Sequence, residues 1–488
     1  MNDSFVEKLK GNAIFQLSLS SKELFHSNFL AWLAEDENTR NIFNQIMRNW
    51  LNDPTWKFDE NQMMIKREYK NFDFCICEKI SIKKNDFRDD QEEEYIPGSI
   101  IFVLENKFKS IPYEEQLASY HQRILELNLQ GCKDKAKEND SVQRLANNWT
   151  KKHIDTIKDS YSKTKYVLLN LAMGLLDSQA KTDKDGLYIE TKSDISLKKG
   201  EPEYTITDTA KWQIATYTEY ADCLKRAIEN DENWKDKKNV CFYKELINKY
   251  CEFIQTFAEH INISLAELES KENVDTIAPN INWSILTEHQ DFNKLRCYDV
   301  WQKLVMHKCA KYLILKIDNS FKIDFNSTDK YIWEDTDNSQ KLYIGIGFYH
   351  GEAFLEFKYR LSENSIFCLQ QQGNNTLSVG VVVRGLKIPK KKNKKEQGES
   401  ENWNQEVENK VGKYYPTNIE YKGKKYYSYQ GNYCSFFYYH LAEEDVKNSI
   451  CKDAEEKEYS ICKTLDKMVE LMNIAIKGAS NSSSNLQP

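Results

Sequence analysis

Five apolar residues in succession, Ile100-Ile101-Phe102-Val103-Leu104, run directly into Glu105-Asn106-Lys107. The run is short, rich in branched residues and preceded by Pro97-Gly98, which predicts a buried strand rather than a helix. Side chains alternate along a strand. Ile101, Val103, Glu105 and Lys107 therefore share one face, and Phe102, Leu104, Asn106 and Phe108 share the other. A buried strand that ends with a carboxylate and an ammonium side by side carries a cost, because desolvating charge is expensive. On the tripeptide alone, a half-solvated ion pair at a strand end would suffice. The neighbouring residues change that balance.

Upstream, Phe25, Phe29, Trp32 and Leu33 have helical spacing, with Ser20 or Ser21 as an N-cap. Glu23, His26, Ser27 and Leu30 fall near one stripe of that helix. The stripe reads as solvated, with no ligand role for His26. A second helix is expected from Arg40 to Leu51. Gln62 to Tyr69 reads as a strand, Lys70-Asn71 as a turn, and Phe72 to Ile80 as a second strand. This second strand sets Phe72, Phe74 and Ile76 against Asp73, Cys75 and Cys77. The charged stretch Lys83 to Glu94 is expected to be an exposed hairpin end. After Lys107, Pro112 suits a first helical turn, and Glu114 and Glu115 suit its positive end. That helix is predicted to reach Gln130, with Gln116 and Tyr120 on one face. Lys165 to Leu171 is another buried strand. The order is helix, three strands, helix, strand: an α/β unit of αβββαβ form.

Glu68, Asp73 and Glu105 thus fall on neighbouring strands, with Lys107 beside them. Adjacent carboxylates repel and are tolerated when a cation sits between them. Oxygen donors suit Mg²⁺, with Mn²⁺ as a substitute. Such an ion binds a phosphate oxygen, acidifies a water and stabilises a leaving oxygen. A lysine beside it orients that water or helps deprotonate it, and offsets charge on the phosphorus. These are the parts needed for phosphodiester hydrolysis.

Asp73 followed after a hairpin by Glu105-Asn106-Lys107, with Gln116-x-x-x-Tyr120 on the next helix, resembles the PD-(D/E)XK nuclease superfamily and the QxxxY motif of its exonuclease-type branch. Glu23-Leu-Phe-His26-Ser27-Asn-Phe-Leu-Ala-Trp-Leu and Arg67-Glu68-Tyr69 resemble a bacterial PDDEXK_4-like family often met in uncharacterised or defence-associated proteins. The resemblance spans residues 15–175. Phe72 stands where the motif's proline would be, a position the superfamily varies. The resemblance implies a restriction-endonuclease-like mixed sheet flanked by helices. It implies Asp73, Glu105 and the Asn106 carbonyl as metal ligands, with Glu23 as a further carboxylate, and Lys107 as the catalytic lysine. Glu68 would support the metal or stiffen the site, and Gln116 and Tyr120 would hold the site and contact the nucleic-acid backbone. The plain alternatives are an edge-strand surface residue for Glu68 and a helix-surface pair for Gln116 and Tyr120. The function implied is a Mg²⁺-dependent deoxyribonuclease of bacterial anti-phage defence or restriction. The rival is a nuclease fold kept as a non-catalytic nucleic-acid or protein binding module.

With 488 residues, more than one domain is expected. The expected division is a nuclease core at 1–175, an insertion and helical block at 176–290, a C-terminal α+β domain with an antiparallel sheet at 291–478 for substrate binding or sensing, and a disordered tail at 479–488. Within it, 176–205 reads as an insertion or hairpin loop, and helical periodicity dominates from Thr209 to Glu272, in Tyr217 to Asn230 and then Phe242 to His260, with Tyr243, Leu246, Ile247, Tyr250, Phe253, Ile254 and Phe257 spaced as core. A net charge of −7 excludes a general polyanion-coating protein. Nucleic acid, expected to be DNA, would need a local basic patch, and Lys390, Lys391 and Lys392 offer one. Tyrosines interleaved with lysines from Tyr414 to Tyr429 could stack on bases or form sheet core. Twelve scattered cysteines without CxxC pairs read as reduced thiols in a cytoplasmic protein. Neither a secretory signal nor a run of about 18 apolar residues is visible, so no membrane segment is expected. A homo-oligomer or a defence-system partner protein is compatible with the chain.

Overall fold

The computed structural model describes residues 3–18, 22–82, 94–108, 114–137, 164–171, 180–184, 186–197, 204–230, 240–271, 277–317, 321–324, 332–333, 341–349, 351–373, 377–386, 401–416, 418–430, 434–441 and 460–484. They form two compact units, 1–262 and 263–488.

In the first unit, helices α1 (Asp3–Gly11), α2 (Ala13–Ser18), α3 (Lys22–Glu35) and α4 (Arg40–Leu51) precede strands β1 (Met63–Tyr69), β2 (Phe72–Ile82) and β3 (Glu94–Lys107). Helix α5 (Glu114–Lys137) leads to β4 (Lys165–Asn170). The expected αβββαβ order is present. Strands β5 (Lys181–Asp183), β6 (Gly186–Leu197) and β7 (Tyr204–Thr216) then extend the same sheet, whose order is β1-β2-β3-β4-β7-β6-β5. The β3–β4 and β4–β7 pairs are parallel and the others antiparallel. Strand β4 is buried from Tyr166 to Asn170, as its unbroken apolar run requires of a central parallel strand.

Two expectations need correction here. The span 176–205, read as an insertion or hairpin loop, carries β5, β6 and the start of β7. The stretch from Thr209 to Thr216, counted with the helical region, belongs to β7, which passes into α6 (Tyr217–Asn230), the first helix expected there. The reason is visible in β7: Ala210, Trp212 and Ile214 alternate with polar residues and fill one sheet face. That is period two, not the helical period. Helix α7 (Val240–Ala266) follows, with Ile247, Tyr250, Phe253, Ile254 and Phe257 buried along its length as expected.

Helices cover both faces of the sheet. On one side, Leu117 and Ile124 of α5 pack on Cys75, Cys77, Val103, Leu168 and Trp212. On the other, Phe74 meets Phe43 of α4, with ring centroids 6.2 Å apart, and Phe102 at the same distance. Phe72, expected to share the face of Phe74, packs instead with the α5-side cluster, against Tyr120. It follows directly on the hairpin turn, where strand alternation has not yet settled. Cys75 and Cys77 are buried core thiols.

Strand β3 starts earlier than expected and runs through Pro97-Gly98. Its pairing with β2 shifts register between Ile76 and Cys77 and again between Cys77 and Lys79. Such bulges let proline and glycine sit inside a strand. A Cβ on Gly98 would lie 2.7 Å from Ile80 Cδ1. Asn128 of α5 repairs the ladder there. Its Oδ1 accepts the Ile100 N–H at 2.7 Å, and its Nδ2 donates to the Ile100 carbonyl at 3.2 Å.

In the second unit, β8 (Lys322–Asp324), β9 (Lys341–Tyr349), β10 (Glu352–Ser362), β11 (Ser365–Gln372), β12 (Ser378–Arg384), β13 (Tyr426–Gln430) and β14 (Cys434–His440) form a sheet of order β13-β14-β12-β11-β10-β9-β8. It is antiparallel apart from the β8–β9 pair. Gly351 makes the β9–β10 turn at φ 86°. Helices α8 (Tyr298–Lys316) and α10 (Ile461–Ser484) pack on this sheet, and α9 (Glu401–Val411) lies between β12 and β13 in sequence. Helix α10 continues to Ser484, into the tail expected to be disordered. The charged segment at 83–93 lies outside the described residues.

Replacing Asn128 by Ala strands the buried Ile100 N–H. The expected cost is about 2 kcal/mol, or about 4–8 °C in the melting temperature of this unit. A thermal melt unchanged within 1 °C, an arbitrary threshold of roughly 0.3 kcal/mol, would refute that role.

Candidate active site

Strand register brings Asp73 and Glu105 together. The β2–β3 ladder pairs Ile76 with Phe102, Cys75 with Val103 and Phe74 with Leu104. The next step in that register sets Asp73 opposite Glu105, where facing Cβ atoms lie about 5 Å apart. The β1–β2 hairpin adds a third carboxylate. Tyr69 pairs with Phe72 and Arg67 with Phe74, so Glu68 stands opposite Asp73. Lys70 and Asn71 both have positive φ, 56° and 71°, as in a two-residue type I′ turn. Arg123 of α5 donates to the Lys70 carbonyl at 2.9 Å and holds that turn. Glu68 has φ 50°, a conformation costing a non-glycine residue about 1–2 kcal/mol. Strain of this kind clusters at functional sites. Glu68 is exposed, Asp73 is partly buried and Glu105 is buried, so the row deepens toward the centre of the sheet.

Lys107 Nζ lies 2.5 Å from Glu105 Oε1, with both side chains buried. Gln116 Nε2 lies 3.5 Å from the same oxygen and donates to Tyr120 Oη at 2.9 Å. Thus the motif pair on α5 faces the strand pair. Asp73 Oδ2 accepts the main-chain N–H of Asn106 at 2.8 Å. Glu105 Oε2 is buried and has no hydrogen-bond partner.

Charge is unbalanced here. Burial raises the Asp73 carboxyl to about 6, with the Asn106 N–H and Lys107 opposing and Glu23 and Glu68 adding to the rise. Burial also raises Glu105 to about 8, against the pull of Lys107 and with Asp73 adding to it. Burial alone would lower the Lys107 ammonium, but Glu105, Glu23 and Asp73 outweigh it and hold its pKa above the ordinary lysine value. Glu23, on the first turn of α3, therefore belongs to the same charge cluster as Asp73, Glu105 and Lys107.

Among the described residues, no group of three His, Cys, Asp or Glu side chains is close enough to hold a metal ion. The site instead offers two facing carboxylates, with one Glu105 oxygen unpartnered. Burial pushes its two acids toward the neutral form, and the Lys107 ammonium does not offset it. That donor set fits one hard divalent cation that keeps water in its shell.

The stripe expected to be solvated on α3 is not. His26 and Ser27 are buried. His26 Nδ1 lies 2.7 Å from Tyr250 Oη, and its ring centroid lies 4.2 Å from that of Phe108 and 4.9 Å from that of Tyr217. Burial lowers its pKa to about 3, so it is a neutral packing residue. Asn106, noted in the sequence only for its carbonyl, uses its side chain as well. Nδ2 donates to the Glu23 carbonyl at 2.8 Å, and Oδ1 accepts from the Tyr217 hydroxyl. Tyr217 carries no motif signal. Lys390, Lys391 and Lys392 lie outside the described residues. Of the tyrosines read as possible base stackers, Tyr415 and Tyr426 are buried beside Tyr439, and Tyr421 stacks on Tyr415 with centroids 5.0 Å apart.

Both acids bind protons more tightly folded than unfolded, so the unfolded state holds fewer protons between the two pKa values. Without divalent metal, stability is fully present below about pH 4 and falls as pH rises toward 8. The Asp73 contribution is on the order of 3 kcal/mol. Melting curves across pH 4 to 8 in chelator should show this fall, and Asp73→Asn should make it shallower, leaving the Glu105 part. An equal slope in wild type and Asp73→Asn would contradict the assignment.

Residues 12–244 match the family model PDDEXK_4, described as PD-(D/E)XK nuclease superfamily. No curated protein and no solved structure matches the chain. The match runs past residue 175 and takes in β5 to β7 and Tyr217, the strands and the helix start that complete the sheet and its anchoring. With this match, the mixed helix-covered sheet and the row of acids ending at Lys107, residues 12–244 resemble the PD-(D/E)XK nuclease superfamily.

Proposed function

We propose that this unit hydrolyses phosphodiester bonds of DNA with a divalent cation, Mg²⁺ with Mn²⁺ as a substitute. One observation carries the reading: Glu105, buried with an unpartnered oxygen, faces Asp73 in strand register and touches Lys107. Asp73, Glu105 and the Asn106 carbonyl would hold the ion, with Glu23 as a further carboxylate. Once bound, the ion would supply Lewis acidity at the phosphate and a more acidic water.

The chain's own groups divide the remaining work. Lys107, its pKa held above the usual value by its acidic neighbours, stays protonated at neutral pH. It therefore stabilises charge on the phosphate oxygens and orients water, rather than acting as the base. Gln116 holds the Glu105 oxygen that Lys107 also uses, and the Tyr120 hydroxyl beside it reaches toward the nucleic-acid backbone. Glu68, at the exposed end of the acid row, supports Asp73. Lys390, Lys391 and Lys392 give a chain of net charge −7 a local basic run for phosphate contact. A role in bacterial anti-phage defence or restriction rests on family kinship alone.

Purified full-length protein is expected to nick or degrade plasmid or linear DNA in Mg²⁺ or Mn²⁺ and to stop in chelator. Lys107→Ala and Glu105→Ala should each lower the rate by about 100-fold or more while keeping the wild-type circular dichroism. Wild-type rates in both variants would refute the site. A gel shift without cleavage in either metal would support the non-catalytic binding module instead. Parallel RNA substrates separate the two nucleic acids.

A further inference from the structure

Asn106, the middle residue of Glu105-Asn106-Lys107, is fully buried and points to the opposite face of β3 from its neighbours. Three groups converge on it. Its N–H binds the Asp73 carboxylate at 2.8 Å, its Nδ2 binds the main-chain carbonyl of Glu23 at 2.8 Å, and its Oδ1 takes the hydroxyl of Tyr217. Tyr217 is the first residue of α6, 111 positions along the chain. Its ring is wedged against Phe108 and His26, with centroids 5.0 and 4.9 Å away, so the hydroxyl has little freedom.

The geometry points to Tyr217 as a positioning residue for the metal site, acting through Asn106. This rests on the metal-dependent reading above. The phenol fixes which way the Asn106 amide faces. That amide ties the end of β3 to the first turn of α3, and so sets where Asp73, Glu105 and Glu23 stand relative to one another. Without the hydroxyl, Oδ1 becomes a buried acceptor that has lost its donor, and the amide is released to turn. Oxygen donors around a small divalent cation tolerate little misplacement. Groups that orient metal ligands typically contribute about 10–100-fold to affinity.

The test is calorimetric titration of Mn²⁺ into the full-length chain, wild type against Tyr217→Phe. Tyr415→Phe serves as control, because its buried hydroxyl likewise donates one hydrogen bond, to the Phe437 carbonyl at 3.2 Å in the second unit. Tyr217→Phe should bind Mn²⁺ about 10-fold or more weakly. The metal concentration for half-maximal cleavage should rise in proportion, with DNA retention in gel shifts unchanged. Asn106→Ala, which cuts the same link from the other side, should weaken Mn²⁺ binding at least as much. Tyr415→Phe should keep wild-type Mn²⁺ affinity. Wild-type Mn²⁺ affinity in Tyr217→Phe overturns the positioning role and leaves the metal site standing. A wild-type chain that binds no Mn²⁺ overturns the metal reading and this role with it.

Discussion

Two carboxylates face each other across a β-ladder, and among the described residues Lys107 supplies the ammonium that answers them. That imbalance explains the otherwise costly features of the first unit. Glu105 is buried with an unpartnered oxygen, and burial raises the Asp73 carboxyl to about 6. In a protein interior such an arrangement costs free energy unless a further positive charge completes it. The fold accepts a stability penalty at one point on the sheet, which the proposed cation would offset.

The surrounding architecture maintains that imbalance. A tight Lys70-Asn71 turn sets the β1–β2 register, and that register delivers Glu68 opposite Asp73. The β2–β3 register delivers Glu105 opposite Asp73 in turn. Both register shifts lie toward the Pro97 end of the pair, where Asn128 stitches the ladder, so the Asp73 end stays regular. Beyond Glu105 the row enters the apolar centre of the sheet at Leu168, which denies water to the innermost acid. The face carrying the acids meets α5 with Gln116 and Tyr120. The reverse face meets α3 and α6 through Asn106. A single strand end is thus gripped from both sides.

Local pattern made much of this legible in the sequence. Strand alternation put Glu105 and Lys107 on one face, and the short hairpin confined Asp73 to the neighbouring strand. Helical spacing gave α7 its packed side. What escaped depends on distant partners or on competing patterns. The polar residues between Ala210, Trp212 and Ile214 masked a strand at the start of what looked like a helical region. His26 looked solvated because the aromatic shell that buries it comes mainly from Phe108, Tyr217, Tyr250 and Phe253, far along the chain. Pro97-Gly98 looked like the start of a strand because a bulge that absorbs both residues is a property of the pair, not of one segment. The anchoring of Asn106 by Tyr217 likewise requires the closed fold to be seen.

The most direct measurement is anomalous diffraction from crystals of the protein grown or soaked in Mn²⁺. The account predicts a manganese peak with oxygens of both Asp73 and Glu105 among its ligands and with Lys107 Nζ adjacent. A protein that cleaves DNA in that same metal solution, yet shows its manganese elsewhere and leaves the two facing carboxylates without an ion, would contradict it.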